Sequence, residues 1–312
     1  MADKDTDKKV NPQPEVDAKG APIVSSPPSG LKVILREFTH DKGAMVSFVI
    51  MMVIILSAVI GSLFINPSRY TDVNIMWQWA RPGTEGLILG GDDSGRDVFA
   101  ELIVGMRNSI MIGWGVAILI EVIGVIVGLS SGYFGGWIDN ILMRITDFFM
   151  ILPSLMIQIV VITIVPSFSI WVLVWLITGL GWMSTARLYR SAVLSQAGRD
   201  YILASKTSGS SNFRIMFFEL LPNISSLLLV DITLTFATSV GIETGLTFLG
   251  YGLPSNTPSI GRLISFAQDP VTITQYPWGW LPATLLLVIL SLSVNYVGKA
   301  LQRSADARQR LG

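Results

Sequence analysis

Apolar residues in this chain gather into long runs instead of alternating singly with polar ones. Six runs approach the ~20 residues that a helix needs to cross the ~30 Å hydrocarbon core of a bilayer. They cover about 44–65, 109–131, 146–165, 168–187, 224–248 and 281–300. The pattern predicts an all-α polytopic bundle of six transmembrane helices. Pro153 removes a backbone donor inside the third run and predicts a kink there. Pro166 and Ser167 separate the third run from the fourth, which leaves room for a tight hairpin. The intervals 66–108, 188–222 and 250–280 are long enough to carry structure of their own. The first 43 residues hold Pro12, Pro14, Pro22, Pro27 and Pro28 behind the charged opening MADKDTDKKV. Such a stretch cannot bury enough apolar surface to offset the entropy of ordering, so 1–43 reads as a disordered tail ahead of a six-span domain, 44–312. The first apolar run begins late and is long enough to span, which suits a retained anchor better than a cleaved signal peptide.

Composition agrees with the bilayer as main solvent: 51% of the 312 residues are hydrophobic and 14% charged, and the mean hydropathy is +0.57. Lys and Arg together number 22, as do Asp and Glu, so no net charge suggests a nucleic-acid partner. The chain has no Cys, and its one His is His40. That excludes disulfides, thiolate metal sites and Cys nucleophiles, and no catalytic, metal or cofactor site is expected. Gly128-Leu-Ser-Ser-Gly132 fits the G-x-S-x-G pattern but lacks the strand–turn–helix context and the His base that pattern needs. There is no G-x-x-x-x-G-K-[ST], so ATP hydrolysis is not expected on this chain. If the N-terminus is cytoplasmic, seventeen of the 22 basic residues fall inside, and five, Arg69, Arg81, Arg96, Arg107 and Arg262, fall outside. The positive-inside rule then puts both termini and 188–222 in the cytoplasm, and 66–108 and 250–280 outside.

Three polar constellations stand out. In the segment YILASKTSGSSNFRIMFFELLPN, Phe213, Met216, Phe217 and Leu220 recur at i, i+3, i+4 and i+7, which predicts a short amphipathic helix capped by Ser211 or Asn212. Gly209 separates it from an earlier helix, and Pro222 is expected to end it. Such a helix can lie on the lipid surface or dock into a groove of another protein. In the fifth run, Asp231, Thr235, Ser239 and Glu243 recur every four residues. This stripe either faces a water-filled path or hydrogen-bonds a neighbouring helix. Asp92, Asp93 and Asp97 lack calcium-loop spacing and read as a turn before an N-capped helix bearing Phe99, Leu102, Ile103 and Met106. Gly124, Gly128 and Gly132 form a small-residue row for close helix packing, and Glu121 is expected to pair with Trp114 or a Thr. Trp77, Trp79, Trp278 and Trp280 read as an interfacial belt.

Ala204–Pro222 has the form A-S-x-x-x-G-x(9)-E-L-L-P, and this resembles the EAA loop of bacterial ABC-importer permeases. Leu203 stands where Glu is usual, Ser205 where Ala is, and Glu219 where Ile is. LILGGDDSGRDVFAELIVGMRNSI, from Leu87 to Ile110, and ETGLTFLGYGLPSNTPSIGRLI, from Glu243 to Ile264, resemble two further elements of the oligopeptide/dipeptide permeases. The chain is similar to the second permease subunit of that family. The resemblance implies the type I importer permease fold and a non-enzymatic subunit at the bacterial cell membrane. It also implies a homologous permease partner, two cytoplasmic ATPases and an extracytoplasmic substrate-binding protein. Ala204, Ser205, Gly209, Phe213, Met216, Phe217 and Pro222 would then belong to the ATPase-coupling loop; if the stripe Asp231, Thr235, Ser239 and Glu243 faces water instead of a neighbouring helix, it lines a translocation path between the two permeases. Nickel or another small solute is an alternative cargo. An ion-coupled secondary transporter is an alternative of another class, and it would call for repeats with paired broken helices.

Overall fold

The computed structural model describes residues 36–165, 169–254 and 256–311, with side chains described as far as Ser304. Most of the 1–43 tail and the hairpin at Pro166 and Ser167 lie outside the described residues. The end of the tail departs from the expectation. Residues 36–40 are helical, and Phe38 is buried with Ala44, Val297 and Ala300.

Helix α1, Lys42–Phe64, starts where the Asp41 side chain accepts a hydrogen bond from the Ala44 amide. Its buried residues beyond the first turn are Ile54, Ala58 and Ser62. They lie four apart, so one narrow stripe packs inward and the remaining apolar side chains face outward, as suits a helix solvated by lipid. Helix α2, Val98–Phe134, has 37 residues. At 1.5 Å per residue it is about 56 Å long, nearly twice the hydrocarbon thickness. The second span and the short helix expected before it are one continuous helix. Asp97 caps it by accepting from the Phe99 amide at 3.0 Å.

Two of the expected spans are broken. The third consists of α3, Gly136–Ile151, and α4, Ser154–Ile164, bent by 79°. Leu152 is extended there, and Pro153 cannot continue the ladder, so the kink read from Pro153 is a full break. The fourth consists of α5, Ile170–Gly179, and α6, Trp182–Ala197, bent by 46°. No proline marks that break. Gly179 and Gly181 flank it, and paired glycines are a weaker signal for the same event.

After α6 come α7, Asp200–Thr207, and a short helical segment reaching Asn223. The fifth span is α8, Ser225–Phe248; a short α9, Ile260–Ser265, comes next; the last helix, α10, is Leu281–Leu311. Helix α2 is the hub, packed against α1, α5, α6 and α8. Its glycine row faces α6. A Cβ on Gly124, Gly128 or Gly132 would lie 2.4 Å from Thr185 Cγ2, 2.6 Å from Tyr189 Cβ or 2.8 Å from Val193 Cβ, respectively. The expected close approach is therefore made within the chain.

Candidate functional site

At one end of the bundle the segments 66–97 and 250–280 fold over the start of α2 as a cap. Asp92 Oδ1 accepts from the amides of Ser94 at 2.9 Å and Arg96 at 2.6 Å, and its Oδ2 lies 3.8 Å from Arg262 Nη2. Arg69 Nε reaches Asp97 Oδ2 at 3.0 Å. Burial pushes both carboxyls above the usual carboxylate range, although the neighbouring amides and arginines pull the other way. The turn read around Gly95 and Arg96 is present, but its acidic residues are tied to the chain itself. Trp79 stacks on Tyr276 at 4.6 Å and meets Phe266 edge-on at 5.6 Å. The indole nitrogens of Trp278 and Trp280 are buried. Trp79 and Trp278 thus pack between the two loops and join them, a role that the reading as a lipid belt did not include.

The stripe on α8 does not stay together. Glu243 is fully buried and accepts from Ser109 Oγ at 2.8 Å and Thr247 Oγ1 at 3.0 Å. Ser109 also accepts from the Ile260 amide, and Asn108 donates to the Pro258 carbonyl at 2.8 Å. Ser239 is buried as well. Both residues are therefore enclosed by the chain's own helices, and the hydrogen bonds of Glu243 fix the packing there, so neither faces an open path within this chain. Asp231 and Thr235 are half-buried. Asp231 Oδ2 accepts from Thr185 Oγ1 at 3.0 Å. Glu121 accepts from the Tyr189 hydroxyl, while Trp114 stacks on Phe236.

At the end opposite the cap lies the segment after α6. Gly209 has φ +80°, the left-handed turn that separates α7 from the next helical turn. Ser211 caps that turn by accepting from the Arg214 amide at 3.3 Å. Asn212–Arg214 is α-helical, Ile215–Leu220 is a π-helix, and Leu221–Asn223 completes the segment. Pro222 has no N–H to give to the preceding turn, and the Leu221 amide bonds back five residues to Met216. The helix continues past Pro222 to Asn223, so that proline loosens it without ending it.

The π turn changes which residues face out. Ile215, Met216 and Leu220 are buried in a cluster with Leu129, Tyr189, Val193 and Ile202. Phe213 remains 64% exposed and Phe218 70% exposed. Phe213 and Phe217 touch at 4.6 Å, with Phe217 half-buried. The face expected to unite Phe213, Met216 and Phe217 is thus split, with Met216 holding the segment onto the permanent core. Ala204, Gly209 and Pro222 are exposed, and Ser205 is half-buried. Phe218 and the exposed Leu203 escape the sequence pattern, because helical spacing from Met216 does not include them.

Residues 124–310 match the family described as binding-protein-dependent transport system inner membrane component. The chain belongs to this family. Residues 29–82 also match the N-terminal TM domain of oligopeptide transport permease C. Among curated relatives, the chain is 47% identical over 276 residues to the oligopeptide transport system permease protein OppC of Lactococcus lactis subsp. lactis (strain IL1403), covering 88% of this chain and 94% of that one. It is 34% identical to the protein of the same name from Bacillus subtilis (strain 168), over 89% and 90% of the two chains. It is 30% identical to the dipeptide transport system permease protein DppC of Haemophilus influenzae (strain ATCC 51907 / DSM 11121 / KW20 / Rd), over 92% and 98%. The resemblance read from three separated stretches holds. Two of those stretches, Leu87–Ile110 and Glu243–Ile264, meet in the folded permease through Asp92–Arg262, Asn108–Pro258 and Ser109–Glu243. The broken spans that would have suited a secondary transporter are present in this permease.

Proposed function

We propose that this permease forms half of the path by which oligopeptides or dipeptides enter a bacterial cell, paired with a homologous permease in the cytoplasmic membrane. Two cytoplasmic ATP-binding subunits supply the hydrolysis, and an extracytoplasmic binding protein delivers the cargo to the cap formed by 66–97 and 250–280. Both termini and the segment 200–223 face the cytoplasm, in line with the distribution of basic residues.

The observation that carries this reading is the pair of exposed aromatic rings, Phe213 and Phe218, on a helix whose other face is anchored in the buried cluster around Met216. A rigidly seated helix with outward aromatics transmits force to a groove in a partner, where a mobile surface helix would not. Replacing Phe218 with Asp would force a charge against apolar partner surface, a change on the order of 1–3 kcal/mol. The test is to purify the assembled complex and measure retention of the ATP-binding subunits and substrate-stimulated hydrolysis. F218D should lose one or both while the permease still folds. Parental retention and parental peptide uptake would defeat the reading.

A further inference from the structure

Glu121 on α2 and Asp231 on α8 lie within spanning helices, where an ionised carboxylate needs a partner. Thr185 and Tyr189, one turn apart on α6, reach Asp231 and Glu121 respectively, which sets the two carboxyl groups side by side against the same face of that helix. Tyr189 donates its hydroxyl proton to Glu121 Oε1, and Thr185 donates to Asp231. Glu121 is 7% exposed, and its second oxygen, Oε2, is buried with no N–H or O–H donor among the described residues. Among those residues, the group beside it that could supply a donor is a protonated Asp231.

Among the described residues, no cation fills that place. The arginines flanking Tyr189 on α6 are engaged with α3: Arg190 pairs with Asp139 at 2.5 Å, and Arg187 pairs with Asp147. Helix α5 carries no ionisable side chain. Lys42 of α1, Arg144 of α3 and Lys299 of α10 are exposed, and Arg303 of α10 pairs with Asp41. Two neighbouring carboxylates in a low-dielectric site, with no cation between them among the described residues, repel each other strongly when both are ionised; one proton held by the pair removes the repulsion and satisfies the orphaned oxygen.

We propose that Glu121 and Asp231 form a proton-binding site, holding one proton between two carboxyl groups where α2, α6 and α8 meet. Its position gives the proton a structural consequence. Tyr189 belongs to the same buried cluster as Ile215, Met216 and Leu220, so one residue contacts both the carboxyl pair and the base of the segment 200–223. Loss of the proton places a second negative charge between α2 and α8. By reciprocity, any displacement of α6 that withdraws Tyr189 changes the proton affinity of the pair.

The test uses the full chain, purified with its partner subunits and reconstituted in lipid nanodiscs. Infrared difference spectra between the parent and the E121Q/D231N double variant should show a protonated-carboxyl C=O band that shifts in D2O and is lost in the variant. The unfolding temperature of the parent should fall as pH rises through the range in which the pair gives up its stabilising proton. That fall should be smaller in E121Q and in D231N by the share of the pair, since an amide supplies an N–H to the other carboxyl without titrating; the buried carboxyls of the cap account for what remains. If E121Q fails to accumulate, D231N decides through the same two readouts. Identical carboxyl bands in parent and double variant would overturn the proposal. So would an unfolding temperature that rises with sodium or potassium in the parent but not in D231N, since a metal cation would then occupy the site.

Discussion

A Cβ added to Gly128, in the row where α2 meets α6, would stand 2.6 Å from Tyr189 Cβ, 2.7 Å from the Ala186 carbonyl oxygen and 2.9 Å from the Arg190 nitrogen. Two of these neighbours are backbone atoms and cannot swing aside. Carbon atoms prefer separations of ~3.5–4.0 Å, so α2 and α6 must part by about 1 Å to admit the new atom. Gly128→Val adds three carbons at this point. Overpacking of this kind costs ~1–3 kcal/mol, and the small helix-propensity gain over glycine offsets only a few tenths. The net loss is expected near 2 kcal/mol, with an unfolding temperature lower by on the order of 5 °C. Gly241 is the control, because a Cβ there meets nothing within 4 Å. Gly241→Ala should leave stability unchanged or raise it by up to about 1 kcal/mol. Both variants can be followed in the solubilised chain by tryptophan fluorescence on heating and by the fraction that stays monodisperse. If Gly128→Val melts with the parent, the helices are not in contact along that row and the packing argument fails.

Other residues give predictions of different kinds. Met216→Ala should destabilise the permease itself by ~2–5 kcal/mol, because the side chain fills a core and does not face a partner; a variant that keeps parental stability and loses only ATPase binding would place Met216 outside. Gly209→Val meets no atoms within 4 Å but forces a β-branched residue to φ +80°, at ~1–2 kcal/mol; proteolysis should show local loosening near 209 with an unchanged global melt. Burial raises the carboxyls of Asp92 and Asp97 above their unfolded values, so their protonated forms favour the folded cap. Their contribution is present at lower pH and declines as pH rises through the folded values. Hydrogen exchange in 66–97 should therefore not accelerate as pH is lowered from neutral into the mildly acid range, after correction for intrinsic rates, and Asp92→Asn should remove its share of the pH dependence. A Cys placed at the exposed Ser211 of this Cys-free chain should react with an impermeant reagent only after the cells are opened; labelling of intact cells would reverse the proposed orientation.

Much of the molecule was legible in the chain because hydrophobic run length alone reports bilayer crossing. The runs at 44–65, 224–248 and 281–300 correspond to single helices, since nothing in them interrupts the backbone ladder. The N-capped helix behind the acidic turn and the separation of two helices at Gly209 were also readable, since each depends on a few neighbouring residues. The break at 180–181 was not, because a glycine in a helix is only a weak breaker until packing selects the bend. Nor was the true length of α2, because local spacing shows a short helix at 98–106 and a span from 109 without showing that one backbone ladder runs through both.

The sequence by itself determined that the chain crosses a membrane, which family it resembles and where its soluble-looking segment lies. Those properties arise from local composition and from the order of motifs. Tertiary structure decided which side of each polar residue meets a partner. Glu243 looks like a path residue in one dimension and is enclosed once Ser109 and the loop before α9 close over it. Met216 looks like a docking residue and turns inward, because a π turn ahead of Pro222 brings Phe218 to the surface with Phe213. The apposition of Glu121 and Asp231 joins residues 110 positions apart in the chain. It exists only because the glycines of α2 let α6 approach closely enough for Tyr189 and Thr185 to reach both carboxyls.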